Sequence, residues 1–194
     1  MKAVSKKIAS AIMIIMTLSL MSFPCAPQAN AYSTLGCVWD TKNIKYYSPS
    51  PLSSSPVWAN AAGRWSGLDP KLASSSSYHF YGTNENRGNT VSWSGVTRKK
   101  GTTQSVPECS NGKWKKGGME VVLNWSLMSS LNYTTQQRQG VAAHEIGHAL
   151  GLAHNTGTTT GEPNALMYPY DARRFDWGIF GPKKDDKNGA NALY

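Results

Sequence analysis

The sequence predicts an α+β fold with one central helix and one closing helix, and three observations carry that prediction. Short β-branched and aromatic segments, punctuated by turn residues, dominate the chain before residue 125. A long helical pattern opens on a Thr-x-x-Gln start at Thr134–Gln137 and runs to Gly151. The chain closes on 185-DDKNGANALY-194, whose acids stand first, where a helix dipole favours them. No internal repeat is present.

Residues 1–31 stand apart from this pattern. Lys2, Lys6 and Lys7 precede an apolar run from Ile8 to Phe23, then Pro24 and the small-x-small triplet Ala29-Asn30-Ala31. That is the layout of a secretory signal peptide. Read instead as an anchor, the run falls short of the ~20 residues a spanning helix needs. Cleavage after Ala31 leaves one domain, 32–194, of roughly 160 residues, a usual single-domain size. The product is expected to be secreted, extracellular and monomeric, with no stable membrane insertion. Losing three lysines takes the formal charge from +9 to +6. The remaining basic residues are dispersed and no nucleic-acid-binding motif gathers them, so a nucleic-acid partner is not expected.

Within the domain, Val38–Tyr47 reads as a first strand ending at Pro49 and Pro51. Ser53–Ser55 supply capping residues for a helix over VWANAAGRWSGL, with Gly67 as its stop. Tyr78–Tyr81 and Val91–Val96 read as short strands on either side of the turn residues 82–90. Residues 97–118 read as a loop unless Cys109 ties them down, and Met119–Asn124 as a compact strand. After leader removal two cysteines remain, Cys37 and Cys109. In an oxidising compartment one disulfide is the simplest outcome. The alternative is a free Cys37 thiolate that ligates a metal and holds the protein latent.

The chemistry concentrates in 144-HEIGHALGLAH-154. His144 and His148 are four apart, so on a helix they share one face. Two such imidazoles can hold one Zn²⁺ at ~2.0–2.1 Å. Gly151 lets the chain leave the helix and bring His154 round as a third ligand, with the fourth position left to water. Three protein ligands and an open site are the catalytic pattern. Glu145 then serves as the base that activates a zinc-bound water, whose pKa the metal lowers to about 7.

The extended spacing H-E-x-x-H-x-x-G-x-x-H, followed by 165-ALMYP-169, resembles the metzincin metalloproteases, and among them most closely the matrixins. ANAAGRWSGL resembles the early matrixin helix, and Asp185–Tyr194 matches the family's D-D-x-x-G-x-x-x-L-Y tail at every position. The resemblance implies a mixed twisted β-sheet, a central zinc-binding helix, a methionine turn built on Met167 and a C-terminal helix fixed by its acids. It implies a zinc endopeptidase that binds an extended polypeptide against an edge strand. Met119–Asn124, the last strand before the zinc helix, is the expected edge, and a bulky apolar side chain after the scissile bond is the expected preference.

The departures are specific. His79 is the one histidine outside the motif, so the family's second, structural zinc is not expected. No P-R-C-G-x-P segment is present, and Tyr170 follows Pro169 directly. With eleven acids, several already given roles, no Ca²⁺ site is assigned. A catalytically silent, metal-stabilised adhesion module for anionic cell-wall or matrix polymers is the contrasting reading, and Glu145 speaks against it. Hydrolysis of another amide, such as a peptidoglycan crosslink, fits the same motif.

Overall fold

A five-stranded sheet backs the histidine helix. In this computed structural model residues 32–49, 56–74, 77–104, 107–156, 158–159 and 162–194 are described. The leader and the capping serines Ser53–Ser55 lie outside the described residues. The sheet is built from β1 (Lys45–Tyr47), β2 (Lys71–Leu72), β3 (Phe80–Glu85), β4 (Gly95–Lys99) and β7 (Met119–Asn124). Its order is β2-β1-β3-β7-β4, parallel throughout except for β4, which runs antiparallel to β7. The sheet is therefore mixed.

Helices α1 (Pro56–Gly63) and α3 (Thr135–Ala149) pack against each other, and α3 also packs on β4 and β7. Trp58 and Trp65 are buried in the shared core with Phe80, Val121, Leu123 and Ile146. The capping box of α3 forms as expected: the Thr134 hydroxyl accepts from the Gln137 backbone, and the Gln137 side chain accepts from the Thr134 backbone. Indole donors lock the core to this helix, Trp65 Nε1 donating to the Ala143 carbonyl and Trp39 Nε1 to that of Ala149.

Several expected boundaries move. The opening strand shrinks to Lys45–Tyr47, because the chain before it pairs elsewhere. Thr34 bridges Leu152, Leu35 N–H donates to the Gly151 carbonyl (2.8 Å) and Val38 exchanges hydrogen bonds with Gly112 and Trp114. The helix expected through Gly67 ends at Gly63. Residues 82–85, expected as a turn, continue β3, since pairing with β7 runs in register to Glu85↔Asn124. The strand expected over Val91–Val96 lies at Gly95–Lys99. The expected loop 97–118 holds the rest of β4 and a small hairpin, β5 (Cys109–Ser110) with β6 (Lys113–Trp114). Cys109 pairs with Cys37 across a Cα–Cα distance of 6.1 Å, so Cys37 is not a free thiolate.

The expected edge strand is a correction. Met119–Asn124 lies between β3 and β4, with all six residues buried, and β4 is the edge strand on that side of the sheet. Two short helices had no clear sequence signal, α2 (Trp125–Ser130) and α4 (Asp171–Asp176). The closing helix α5 spans Lys184–Ala192. Its buried Asp186 accepts from the backbone N–H groups of Leu166 (2.7 Å), Met167 (3.1 Å) and Lys183 (2.7 Å), pinning the tight turn Ala165–Tyr168 beneath α3. The small ladder β8 (Thr158–Thr159) with β9 (Glu162–Pro163) lies between the histidine motif and that turn.

Candidate metal centre and cleft

His144 and His148 project from the last two turns of α3. Gly151, at φ +101°, turns the chain out of the helix; a side chain there would also meet the Cys37 carbonyl at 2.5 Å. The exit is tied to the N-terminal segment, with Ala153 N–H donating to the Ser33 carbonyl (2.8 Å). His154 is thereby carried back over the helix. Its Nε2 lies 3.3 Å from Nε2 of His144 and 3.2 Å from Nε2 of His148. Ligands held tetrahedrally at ~2.0–2.1 Å from one zinc stand about 3.3 Å apart, so the spacing fits that ion.

The outer ring nitrogens set the tautomers. His144 Nδ1–H donates to the Leu166 carbonyl (2.7 Å) and His148 Nδ1–H to that of Leu152 (2.8 Å), which leaves each Nε2 a lone-pair donor. Burial holds His144 well below its ordinary pKa, with the Arg174 and His148 charges adding to it and the Leu166 bond opposing. Burial brings His148 to about 4, against the Leu152 bond and with help from His154 and Arg174. His154 is lowered by burial and then by Arg174. Three neutral imidazoles converging on one point are a donor set that fits a divalent zinc ion. Among the described residues this is the one such group of histidine, cysteine and carboxylate ligand atoms.

Glu145 sits one residue along the helix and is also buried. The Thr97 hydroxyl lies 3.0 Å from its Oε2 and 2.8 Å from its backbone carbonyl. Burial raises the Glu145 carboxyl to about 7, while the Thr97 hydrogen bond and the Arg174 charge pull it down. Its place against the edge strand depends on Gly95, where a Cβ would meet Glu145 Cγ and Val141 Cγ1, each at 2.7 Å. Beneath the histidines, Met167 is 2 % exposed, and a Cβ on Gly147 would fall 2.4 Å from its Sδ. Met167 thus forms an apolar floor under the turn of helix that carries the histidines.

A cleft of about 750 Å³ opens over His144, Glu145, His148 and His154 and runs along β4. Toward the strand's start its wall includes Leu127, Leu131, Tyr133 and Tyr170. Its lining also includes Leu35 and Trp114. A network anchors the first wall: Asp171 accepts from the Ser94 hydroxyl, from Tyr133 OH (3.3 Å) and from the Arg174 guanidinium. Arg174 also donates to the Leu166 carbonyl (3.0 Å).

Every residue singled out from the sequence for the site is brought together here, while His79 is not. It is buried just before β3, where its Nδ1 accepts from Lys45 N–H (2.9 Å) and Trp39 packs on its ring at 5.2 Å. Sequence reasoning missed Thr97, Asp171 and Arg174. Only the last two carry a local signal, an acid and a base spaced i,i+3 as an ion pair on a helix would be.

Three imidazoles around one point, beside a buried carboxylate in an open cleft, are the constellation of a mononuclear zinc hydrolase. A sequence model of the matrixin family matches residues 77–194, more than half of the chain, and the protein belongs to that family of zinc metalloendopeptidases. Human matrix metalloproteinase-20 is 54% identical over 54 residues, 28% of this chain and 10% of that protein. Human neutrophil collagenase is 46% identical over 54 residues, with the same two coverages, 28% and 10%. Interstitial collagenase of Equus caballus is 41% identical over 63 residues, 32% of this chain and 12% of that protein. The chain thus spans about a tenth of the length of the curated relatives it matches. Among solved structures, a chain from the GM1-bound form of the ECX AB5 holotoxin aligns at a TM-score of 0.50. It is 16% identical, over 77% of this chain and 79% of that one, a likeness of fold alone.

Proposed function

We infer that residues 32–194 are a secreted zinc endopeptidase domain of metzincin architecture, with His144, His148 and His154 as ligands and Glu145 as the catalytic base. The observation that carries this reading is the convergence of three Nε2 atoms next to a buried glutamate under an edge strand. Zinc held by the three histidines would supply Lewis acidity toward a water and the substrate carbonyl. Glu145 takes the proton from the attacking water as its oxygen adds to the carbonyl carbon, and passes that proton to the leaving amine as the C–N bond breaks. A carboxyl raised by burial toward neutrality suits both transfers.

An extended polypeptide adds to the free edge of β4, whose other edge pairs with β7. The Leu127, Leu131 and Tyr133 wall supports a bulky apolar side chain after the scissile bond. The basic leader with its apolar run and Ala31 exit supports secretion. No helix among the described residues is long and apolar enough to cross a membrane.

The test is hydrolysis of a denatured protein substrate. Cleavage is expected from the zinc-loaded protein, is lost with a chelator and returns with added zinc. Glu145→Ala lowers the rate by about 10²–10⁴-fold, the usual worth of a positioned acid–base group. A zinc-loaded wild type that cuts no peptide bond overturns the reading.

A further inference from the structure

Arg174 is 1 % exposed, yet it carries a permanent positive charge a short hydrogen-bond path from a metal-binding histidine. Such a charge is costly to bury without close partners. It has two: the Asp171 carboxylate and the Leu166 carbonyl. The same Leu166 oxygen accepts from His144 Nδ1–H at 2.7 Å, and the N–H of the same peptide, that of Met167, donates to Asp186 at 3.1 Å. Both lone pairs of the carbonyl are therefore engaged, one by an imidazole and one by a guanidinium. Asp171 in turn accepts from Ser94, at the entry to the edge strand, and from Tyr133 on the cleft wall.

Resting on the zinc reading above, we propose that the Asp171–Arg174 pair is a positioning device for His144, holding the Leu166 carbonyl that orients the imidazole and linking it to the edge strand and cleft wall. The planar fork of arginine is what allows one side chain to reach a carboxylate and a carbonyl at once. Lysine, a single point donor, cannot hold both in that geometry. The assignment distinguishes this pair from ordinary packing, because its effect falls on the metal ligand and not only on the stability of α4.

Zinc affinity, measured by competition with a chromophoric chelator, tests it on purified wild type, Arg174→Met, Arg174→Lys and Asp171→Asn. Thermal unfolding of each metal-free variant reports folding separately. Loss of a partner that orients a metal-bound histidine costs about 10–100-fold in metal affinity. Arg174→Met is expected in that range, Arg174→Lys to recover part of the loss, and Asp171→Asn to weaken binding with the fold intact. The visible spectrum of the cobalt-substituted variants should shift with the altered His144 geometry.

A folded Arg174→Met or Asp171→Asn with wild-type zinc affinity and an unchanged cobalt spectrum overturns the proposal and leaves a purely structural ion pair. Should Arg174→Met fail to fold, the near-isosteric Asp171→Asn decides alone. A wild type that binds no zinc overturns the parent reading along with this one. A wild type that binds it as tightly as the variants do removes only this one.

Discussion

At Gly147 the central helix touches the turn beneath it so closely that no side chain fits. The ideal Cβ would lie 2.4 Å from Met167 Sδ and 2.9 Å from the Trp65 ring. Glycine inside a helix costs about 1 kcal/mol relative to alanine, so helix propensity alone favours replacing it. Overpacking a filled core costs about 1–3 kcal/mol, and the contact here is with buried groups that have little room to move. Gly147→Ala is therefore expected to destabilise by a net of up to about 2 kcal/mol in denaturant unfolding at constant zinc. Combined with Met167→Ala, which opens the space, the alanine should cost less than it does alone, because the two sites share one contact. A stabilising Gly147→Ala in the wild-type background would mean that the floor of the site is not packed as described. At this scale the histidines, Glu145 and Gly151 were legible from spacing, and Met167 from the family resemblance. Thr97, 48 positions from Glu145, was not, because its role comes from strand pairing that no local pattern encodes.

Among the elements, β4 is the one that sequence placed least well and that the cleft depends on most. Its inner residues Gly95 and Thr97 meet Glu145, while Arg98 is buried between Glu120 (2.7 Å) and Glu85. Removing one partner of a buried ion pair strands the other, at about 3–5 kcal/mol. Arg98→Met is expected to lose stability of that order by equilibrium unfolding near neutral pH. Burial pushes the Glu85 carboxyl up, but the bonds and charges of Arg87 and Arg98 pull it below its ordinary value. A depressed carboxyl contributes stability above its unfolded-state value and loses it as the pH falls through the folded one. The deficit of Arg98→Met should thus narrow as the pH drops through that window, and a deficit independent of pH would exclude the Glu85 contribution. Met119–Asn124 looked like an edge because it directly precedes the zinc helix. β4 instead folds back antiparallel and covers it, a non-local event with no mark on either strand.

Across the whole molecule, the N-terminal segment is a strap between two parts of the cleft. Residues 33–35 pair with Gly151–Ala153 next to His154, and Val38 pairs with the hairpin that bears Trp114. The Cys37–Cys109 disulfide closes a separation of 72 residues at that junction. On the chain-entropy view such a loop is worth roughly 4 kcal/mol, so Cys37→Ala with Cys109→Ala, or reduction, should lower unfolding free energy by up to that amount. Faster amide exchange at Leu35, Val38 and Trp114 should accompany the loss. Unchanged stability on reduction would show that the strap holds through its hydrogen bonds alone.

By itself the sequence pointed to His144, His148, His154 and Glu145 as the candidate site, and to the helix that carries them with its capping box, the closing helix and the family. Each of those is written in spacings within one element or across one turn, where backbone geometry converts sequence distance directly into spatial distance. Only the tertiary structure decided that β4 is the edge strand beside the site, that Thr97 meets Glu145, and that Arg174 donates to the carbonyl that also accepts from His144. These depend on which segments meet after the chain has folded back on itself, and the buried partners that make them stable come from distant parts of the sequence.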